Sequence, residues 1–272
     1  MWTPTARAEL ARESLPYATC LTEAEWALIE PLLPAPAATG RPWRWPLRQV
    51  LDGILYVLRT GCAWRHLPRD FPPWGSVHRW FLRLSHAGVF ERLVHALTMA
   101  DRERVGREAS PSGAVLDAQA VRSGGVGVAG ERGYDPARRV VGRKRHLLID
   151  TDGRLLLAAV SPASLHDSHG GVALLRASRR LWPFLARCFA DRAYRGKRVG
   201  TATLITVEVV QPQAGRKGFA VQPRRWVIER TLGWIGRCRR LARDHEATAS
   251  SALAFLVLAA AMILVRRLAR TI

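Results

Sequence analysis

The chain is short of acidic residues, of cysteine and of long apolar runs, and each shortage narrows what it can be. Of its 272 residues only 22 are Asp or Glu, against 42 Lys or Arg, giving a formal net charge of +20 and a pI of about 11.4. So basic a balance points to a polyanionic partner, nucleic acid before an anionic membrane. The 4 cysteines, Cys20, Cys62, Cys188 and Cys238, show no zinc-ligand spacing. They read as free thiols of a reducing, cytoplasmic compartment. The opening MWTPTARAELARESLPYATC has no apolar core of the signal-peptide kind. The run from Ala252 to Val265 is wholly apolar, yet falls short of the roughly 20 residues a membrane span needs. It reads as a buried core helix ending in Arg266 and Arg267, which suit a helix C-terminus. Hydrophobic content of 48% is enough for a sizeable core, in one large domain or two ordinary ones.

Along the chain, LTEAEWALIEPLLP opens with a capping box, Thr22 and Glu25, and Leu21 and Trp26 are placed as a hydrophobic staple. Residues 34–46 form a proline-rich basic connector. Leu47, Val50, Leu51, Ile54, Leu55 and Leu58 recur at helical spacing, and Gly61 can close that helix. After a loop holding three prolines, Ser76 reads as the cap of the next helix, and VFERLVHALTMADRERV continues as helix. Residues 1–105 therefore read as an all-helical module. The helices around the 60–76 loop are either a helix-turn-helix variant, with His78, Arg79 and Arg83 facing DNA, or an ordinary bundle with a basic face. GREASPSG, 106–113, reads as a linker. The period then changes. AVLDAQAV reads as a buried strand, RKRHLLIDTDGRLLLAAV as a hairpin about Asp152-Gly153, and 167–181 as a helix. Short strands end at Asp191 and span 206–212, and two more helices follow. The stretch 114–272 is thus an α/β domain.

Three acids in this domain stand out. Asp117 lies inside an apolar strand, where a carboxylate must be paired, bound to a cation or satisfied by backbone N–H groups. Asp191 ends its strand and either caps the next element or holds a ligand. Glu229 sits among Arg224, Arg225, Arg230, Arg237, Arg239, Arg240 and Arg243. It is either a salt-bridge partner of Arg225 or part of a site needing a carboxylate and an arginine wall together. Acids at the ends of adjacent parallel strands, plus one from a later helix, converge at one sheet edge. Hard oxygen ligands of that kind suit Mg²⁺ or Mn²⁺, and two ions about 4 Å apart serve attack and departure in an in-line displacement. Gly233 and Gly236 either make room for DNA or metal or allow packing on another helix. Arg143, Lys144 and Arg145, with Arg138 and Arg139 before them, either track a DNA backbone or cover a solvated hairpin end. His166, Asp167 and His169 could bind metal, unless Asp167 simply caps the helix that follows. Trp43, Trp45 and Trp74 sit in loops and could touch bases.

The blocks LDAQAV, RGYDPARRVVGRKRHLLIDTDGRLLLAAVSPASLHDSHGG, FADRAYRGK and KGFAVQPRRWVIERTLGWIGRCRRLARDHE resemble bacterial insertion-sequence transposases of the DDE class, in the insertion-sequence five group. LTEAEWALIEPLLP, GILYVLRTGCAWRHLP and PPWGSVHRWF resemble the same family's leading region, so the likeness runs from about residue 21 to 260. It implies an RNase H-like catalytic domain preceded by a helical DNA-binding module. It implies hydrolysis at the element ends and strand transfer by the freed 3′-OH, a cut-and-paste reaction on Mg²⁺ or Mn²⁺, two ions in all. Carried over by motif, Asp117, Asp191 and Glu229 are the metal-binding triad and Arg225 a phosphate contact. Arg237 and Arg240 on the same stretch join Arg143, Lys144, Arg145, Arg79 and Arg83 as expected DNA-binding residues. The implied partners are double-stranded DNA, as terminal inverted repeats and target, and a second copy of the chain in a synaptic dimer or larger assembly. The sequence departs from the family signature at Gln222, where a tyrosine is expected, and at Gly236, where a lysine is expected. Arg192 and Ala193 separate Asp191 from Tyr194, where the family often has a glycine. Two rivals remain: a DNA-binding relic without catalysis, and a different metal nuclease on the same fold.

Overall fold

Helices α1 (Glu23–Ile29), α2 (Leu47–Thr60), α3 (Trp74–His86) and α4 (Val89–Arg104) build the N-terminal part of the computed structural model, which describes residues 12, 15–36, 39, 42–124, 131–196, 199, 201, 203–210 and 225–270. The capping box of α1 forms as expected, Thr22 Oγ1 accepting from the Glu25 N–H while Glu25 accepts from the Thr22 N–H. Gly61 closes α2 in the left-handed region, at φ 74°, a conformation that suits glycine. Ser76 is not a cap. Pro73 fixes its own φ and its carbonyl accepts from the Ser76 and Val77 N–H groups, so α3 begins earlier, at Trp74. Residues 61–73 separate α2 from α3, far more than the short turn of a helix-turn-helix.

The remainder is β1 (Gly113–Arg122), β2 (Gly133–Asp135), β3 (Val140–Asp150), β4 (Leu155–Pro162), α5 (Asp167–Leu181), β5 (Arg187–Ala190), β6 (Thr206–Val209), α6 (Trp226–Gly236) and α7 (Ala249–Leu268). Strands run in the order β2-β3-β1-β5-β6, with β4 also on β3. β3 is antiparallel to β1, β2 and β4, whereas β1, β5 and β6 are parallel to one another. Alternation along the strands divides the core. Val115, Leu147 and Ile149 face a cluster shared with the N-terminal helices and α7. Leu116, Leu148 and Ala114 face a second cluster with Leu175 and Trp182. Helix α7 is apolar all round and mostly buried, and is the one described helix long and apolar enough to cross a membrane. A helix of that kind needs cover on every side. It packs on α1, α3 and α4 on one hand and β4 on the other. One core, from Ile54, Phe81 and Phe90 through Phe255 and Leu258 to Leu147, therefore runs across the 106–113 boundary expected from sequence. All four cysteines are free thiols.

The same alternation corrects the reading of Arg143, Lys144 and Arg145. None lies on a DNA-facing surface or a solvated hairpin end, since all three are buried in β3. Arg143 Nη1 lies 2.9 Å from Asp244 Oδ2 and also donates to the Glu246 carbonyl, and Arg143 Nη2 donates to the Ala247 carbonyl. Arg145 donates to the Leu241 carbonyl, and burial lowers its pKa to about 10. Lys144, on the opposite face, pairs with Asp167 at 2.7 Å and Asp135 at 3.2 Å. Arg240 is likewise spent inside, on Glu246 at 2.6 Å and the Cys62 carbonyl. Arg143→Ala should destabilise the fold by about 3–5 kcal/mol, as removal of one partner from a buried ion pair does. Urea unfolding checks this. The salt dependence of DNA binding should keep its slope, which would drop by about 0.9 for a lost phosphate contact.

Candidate active site

Asp117 and Asp191 are brought level by strand pairing. Parallel β1 and β5 pair Gly113 with Arg187, Ala114 with Cys188 and Val115 with Phe189. The same offset carried two residues further sets Asp117 beside Asp191, on neighbours about 4.8 Å apart. Burial raises the Asp117 carboxyl to about 6, and the charge of Asp191 adds to the rise, against the Ala118 N–H and Arg225. Asp117 Oδ1 accepts from the Ala118 N–H at 2.8 Å. Asp191 Oδ1 accepts from the Ala193 N–H at 2.9 Å and opens the short turn Arg192–Tyr194, so the capping reading of Asp191 also holds.

Tyr194 ends that turn and was missed in the sequence. It is buried against Gly171, where a Cβ would lie 2.5 Å from the ring. Its hydroxyl has no hydrogen-bond partner among the described residues. Burial pushes its pKa up, and the charges of Asp117, Asp167 and Asp191 push it further. Arg138, expected with the basic run as a DNA-tracking or solvated hairpin residue, stands beside the two acids instead. It bonds to the Ala118 carbonyl next to Asp117 and to Asp135 and Asp167. Nothing in the spacing of FADRAY marked Tyr194 out.

Helix α6 is fastened to the β3–β4 turn by the two residues that follow Glu229. Arg230 Nη2 donates to the Asp152 carbonyl at 2.7 Å, and Thr231 Oγ1 donates to the Gly153 carbonyl at 3.2 Å. Gly153 has φ 95°, and a Cβ there would meet Thr231 Oγ1 at 2.6 Å. Arg230 lies over both Trp226 and Trp234, 4.4 and 4.6 Å from the ring centres. With Val227 and Ile228 buried, Glu229 is left exposed. Arg225, four residues before it and so on the same side of the helix, places Nη2 3.6 Å from Asp117 Oδ2.

Among the described residues no three Asp, Glu, His or Cys side chains close on one point, and Arg225 is the α6 side chain that stands by Asp117. The pair itself fits a small hard cation. Two acids sit side by side, one of them with its pKa raised by burial and by the other's charge, beside an orphaned hydroxyl. Mg²⁺ is commonly held by one or two carboxylates together with substrate phosphates. Gly233 and Gly236 face open space, with nothing within 4 Å of a Cβ at either, so they do not pack on another described helix. Arg237, Arg79 and Arg83 are exposed. His166 caps α5 through the Ser168 N–H, Asp167 being the first helical residue, and His166 and His169 are exposed. Gln222 and part of 198–205 lie outside the described residues.

Residues 21–94 match a family model for transposases of the IS4/5 family, and residues 108–264 match a model described as a transposase DDE domain. The chain is 40% identical over 109 residues to the insertion element IS402 uncharacterized 16.2 kDa protein of Burkholderia cepacia, covering 38% of this chain and 72% of that one. No solved structure matches. The second family match spans more than half of the sequence and contains Asp117, Asp191 and Glu229, and on that ground the chain belongs to the DDE-domain transposases of insertion sequences.

Proposed function

We propose that this transposase hydrolyses phosphodiesters at the ends of its element and joins the freed 3′-OH to target DNA, with Asp117, Asp191 and Glu229 as the acids of the centre. The observation that carries the proposal is the parallel β1–β5 register, which runs to Val115 and Phe189 two residues before the acids, together with the charge of Asp191 acting on Asp117. Antiparallel β4, β3 and β1 continued by parallel β5 and β6, with α5 crossing between, support an RNase H-like reading of the sheet. Asp117 and Asp191, with Glu229, would hold Mg²⁺ or Mn²⁺, which would supply positive charge for activating the attacking oxygen and stabilising the leaving one. Arg225 is the cation nearest the pair, and a DNA phosphate competes with Asp117 for it by charge-assisted hydrogen bonding. Open space at Gly233 and Gly236 leaves α6 bare for a nucleic-acid backbone. Terminal inverted repeats and target DNA are the substrates, and synapsis of two ends requires at least a dimer.

That no third acid among the described residues closes on the pair favours one other reading, a DNA-binding protein without catalysis. A donor duplex carrying the element ends, incubated with Mg²⁺, separates the two. Wild type should cleave and transfer strands. Glu229→Gln should lose both, with the cleavage rate down roughly 10²-fold or more and binding retained. Tight binding without cleavage by either protein, in Mg²⁺ or Mn²⁺, is the result of the second reading.

A further inference from the structure

The cations of β3 are consumed inside the fold, but another set is not. Between the 42–45 segment and α3 lies an open groove of about 570 Å³, lined by Arg44, Trp45, Ser76, Arg79, Trp80 and Arg83. That volume lies within the range of small-ligand sites, roughly 300–1,000 Å³. Among the described residues no acid lines it, and the sequence has none from Pro31 to Leu51 or from Phe71 to Phe90. Arg44, Arg79 and Arg83 are exposed, and among the described residues none of the three forms an ion pair with a carboxylate. Two of them lie over indoles instead: Arg44 stands 5.4 Å from the Trp45 ring centre, and Arg83 stands 5.1 Å from that of Trp80. Trp80 is steadied from behind by Trp43, edge-on at 4.8 Å. Arg79 and Arg83 follow one another by a single turn along α3, a spacing that serves successive phosphates of a strand.

We propose that this groove binds an unpaired stretch of DNA, one base stacking on Trp45 and Trp80 while Arg44, Arg79 and Arg83 take the adjoining phosphates. Duplex bases present edges to a protein and keep their faces stacked on each other, so an indole gains a base face only where pairing is broken. The 42–45 segment also walls α3 on one side, whereas a recognition helix must stand clear to enter a major groove. Indole platforms flanked by cations are the general form of single-strand sites. The inference rests on DNA being the substrate, as the proposed function has it, but not on the three acids.

Fluorescence anisotropy of a labelled 15-nucleotide single strand, and of the same sequence as a duplex, tests it on the full-length protein. Trp45→Ala should weaken single-strand binding by about 5- to 100-fold, the usual cost of one stacked base, and Trp45→Phe should restore most of it. Duplex binding should change less than twofold in both variants. Arg79→Ala should weaken single-strand binding and lower its salt slope. Quenching of tryptophan fluorescence by oligothymidylate, smaller in Trp45→Phe, gives a reading independent of any fall in stability. Unchanged single-strand binding in Trp45→Ala overturns the proposal. So does an equal loss for duplex, which makes the groove a duplex contact, and so does equal competition by polyglutamate, which makes it a site for acidic peptides. Asp117→Asn should leave single-strand binding intact. A protein that binds single strands through Trp45 but cleaves nothing refutes the catalytic reading alone.

Discussion

Asp117→Asn should slow cleavage at the element ends by on the order of 10³-fold or more, with duplex binding unchanged within a few-fold. The substitution keeps the shape of the side chain and its bond to the Ala118 N–H, and removes the charge that sits beside Asp191. Asp191→Asn should do the same. Because the two carboxylates act as one unit, the double variant should be little worse than either single one, the non-additivity expected of groups sharing a role. End-cleavage rates with matched gel-shift affinities check all three variants. A double variant whose losses multiply would mean that the two acids act in separate places.

Arg154→Ala should cost about 3–5 kcal/mol of stability, as breaking buried ion pairs does, against a total of about 5–15 kcal/mol for an ordinary domain. Arg154 bridges α4 to the β3–β4 turn, with Nε 2.6 Å from Asp101 and Nη1 3.0 Å from Asp150 and 2.7 Å from Asp152. Asp101 and Asp150 are wholly buried. Arg102 pairs with Asp150 at 2.6 Å and Arg267 with Asp101 at 2.9 Å, so α7 joins the same cluster. The turn that this cluster holds is also the one that fastens α6, so the variant should loosen the helix carrying Glu229. The acid dependence has a definite sign. Hydrogen bonds from Arg154, Arg104 and Arg267 outweigh burial and hold the Asp101 carboxyl below its ordinary value. Its contribution is present above the unfolded-state value near 4 and is lost as pH falls through the lower folded value. The gap in urea midpoint between wild type and Arg154→Ala should therefore be widest near neutrality and narrow below about pH 4.

Much of this was legible in the sequence where local rules decide. The capping box at Thr22, the close of α2 at Gly61, the turn at Asp152-Gly153 and the burial of α7 each follow from a few neighbouring residues. Asp117 and Asp191 could be singled out because an acid in or at the end of an apolar strand needs a reason. What escaped is what depends on pairing across the sheet. Arg143, Lys144 and Arg145 look like surface charge as a run, and only the partners Asp244, Asp167 and the Leu241 carbonyl, distant in sequence, show why they are buried. The linker at 106–113 looked like a domain boundary because nothing local says that α7 fills the core of both halves. The setting of α6, the helix of Glu229, is not local either: Arg230 and Thr231 fix it on the distant β3–β4 turn, and Arg225 at its start stands by Asp117.

Manganese titration followed by electron paramagnetic resonance, with an end-bearing duplex present, shows whether Asp117 and Asp191 form a single cation site. Wild type should remove free Mn²⁺ signal in proportion to protein, and the Asp117→Asn/Asp191→Asn double variant, equally folded and equally bound to DNA, should lose that uptake. Equal uptake by both proteins would place the cation elsewhere and contradict the account.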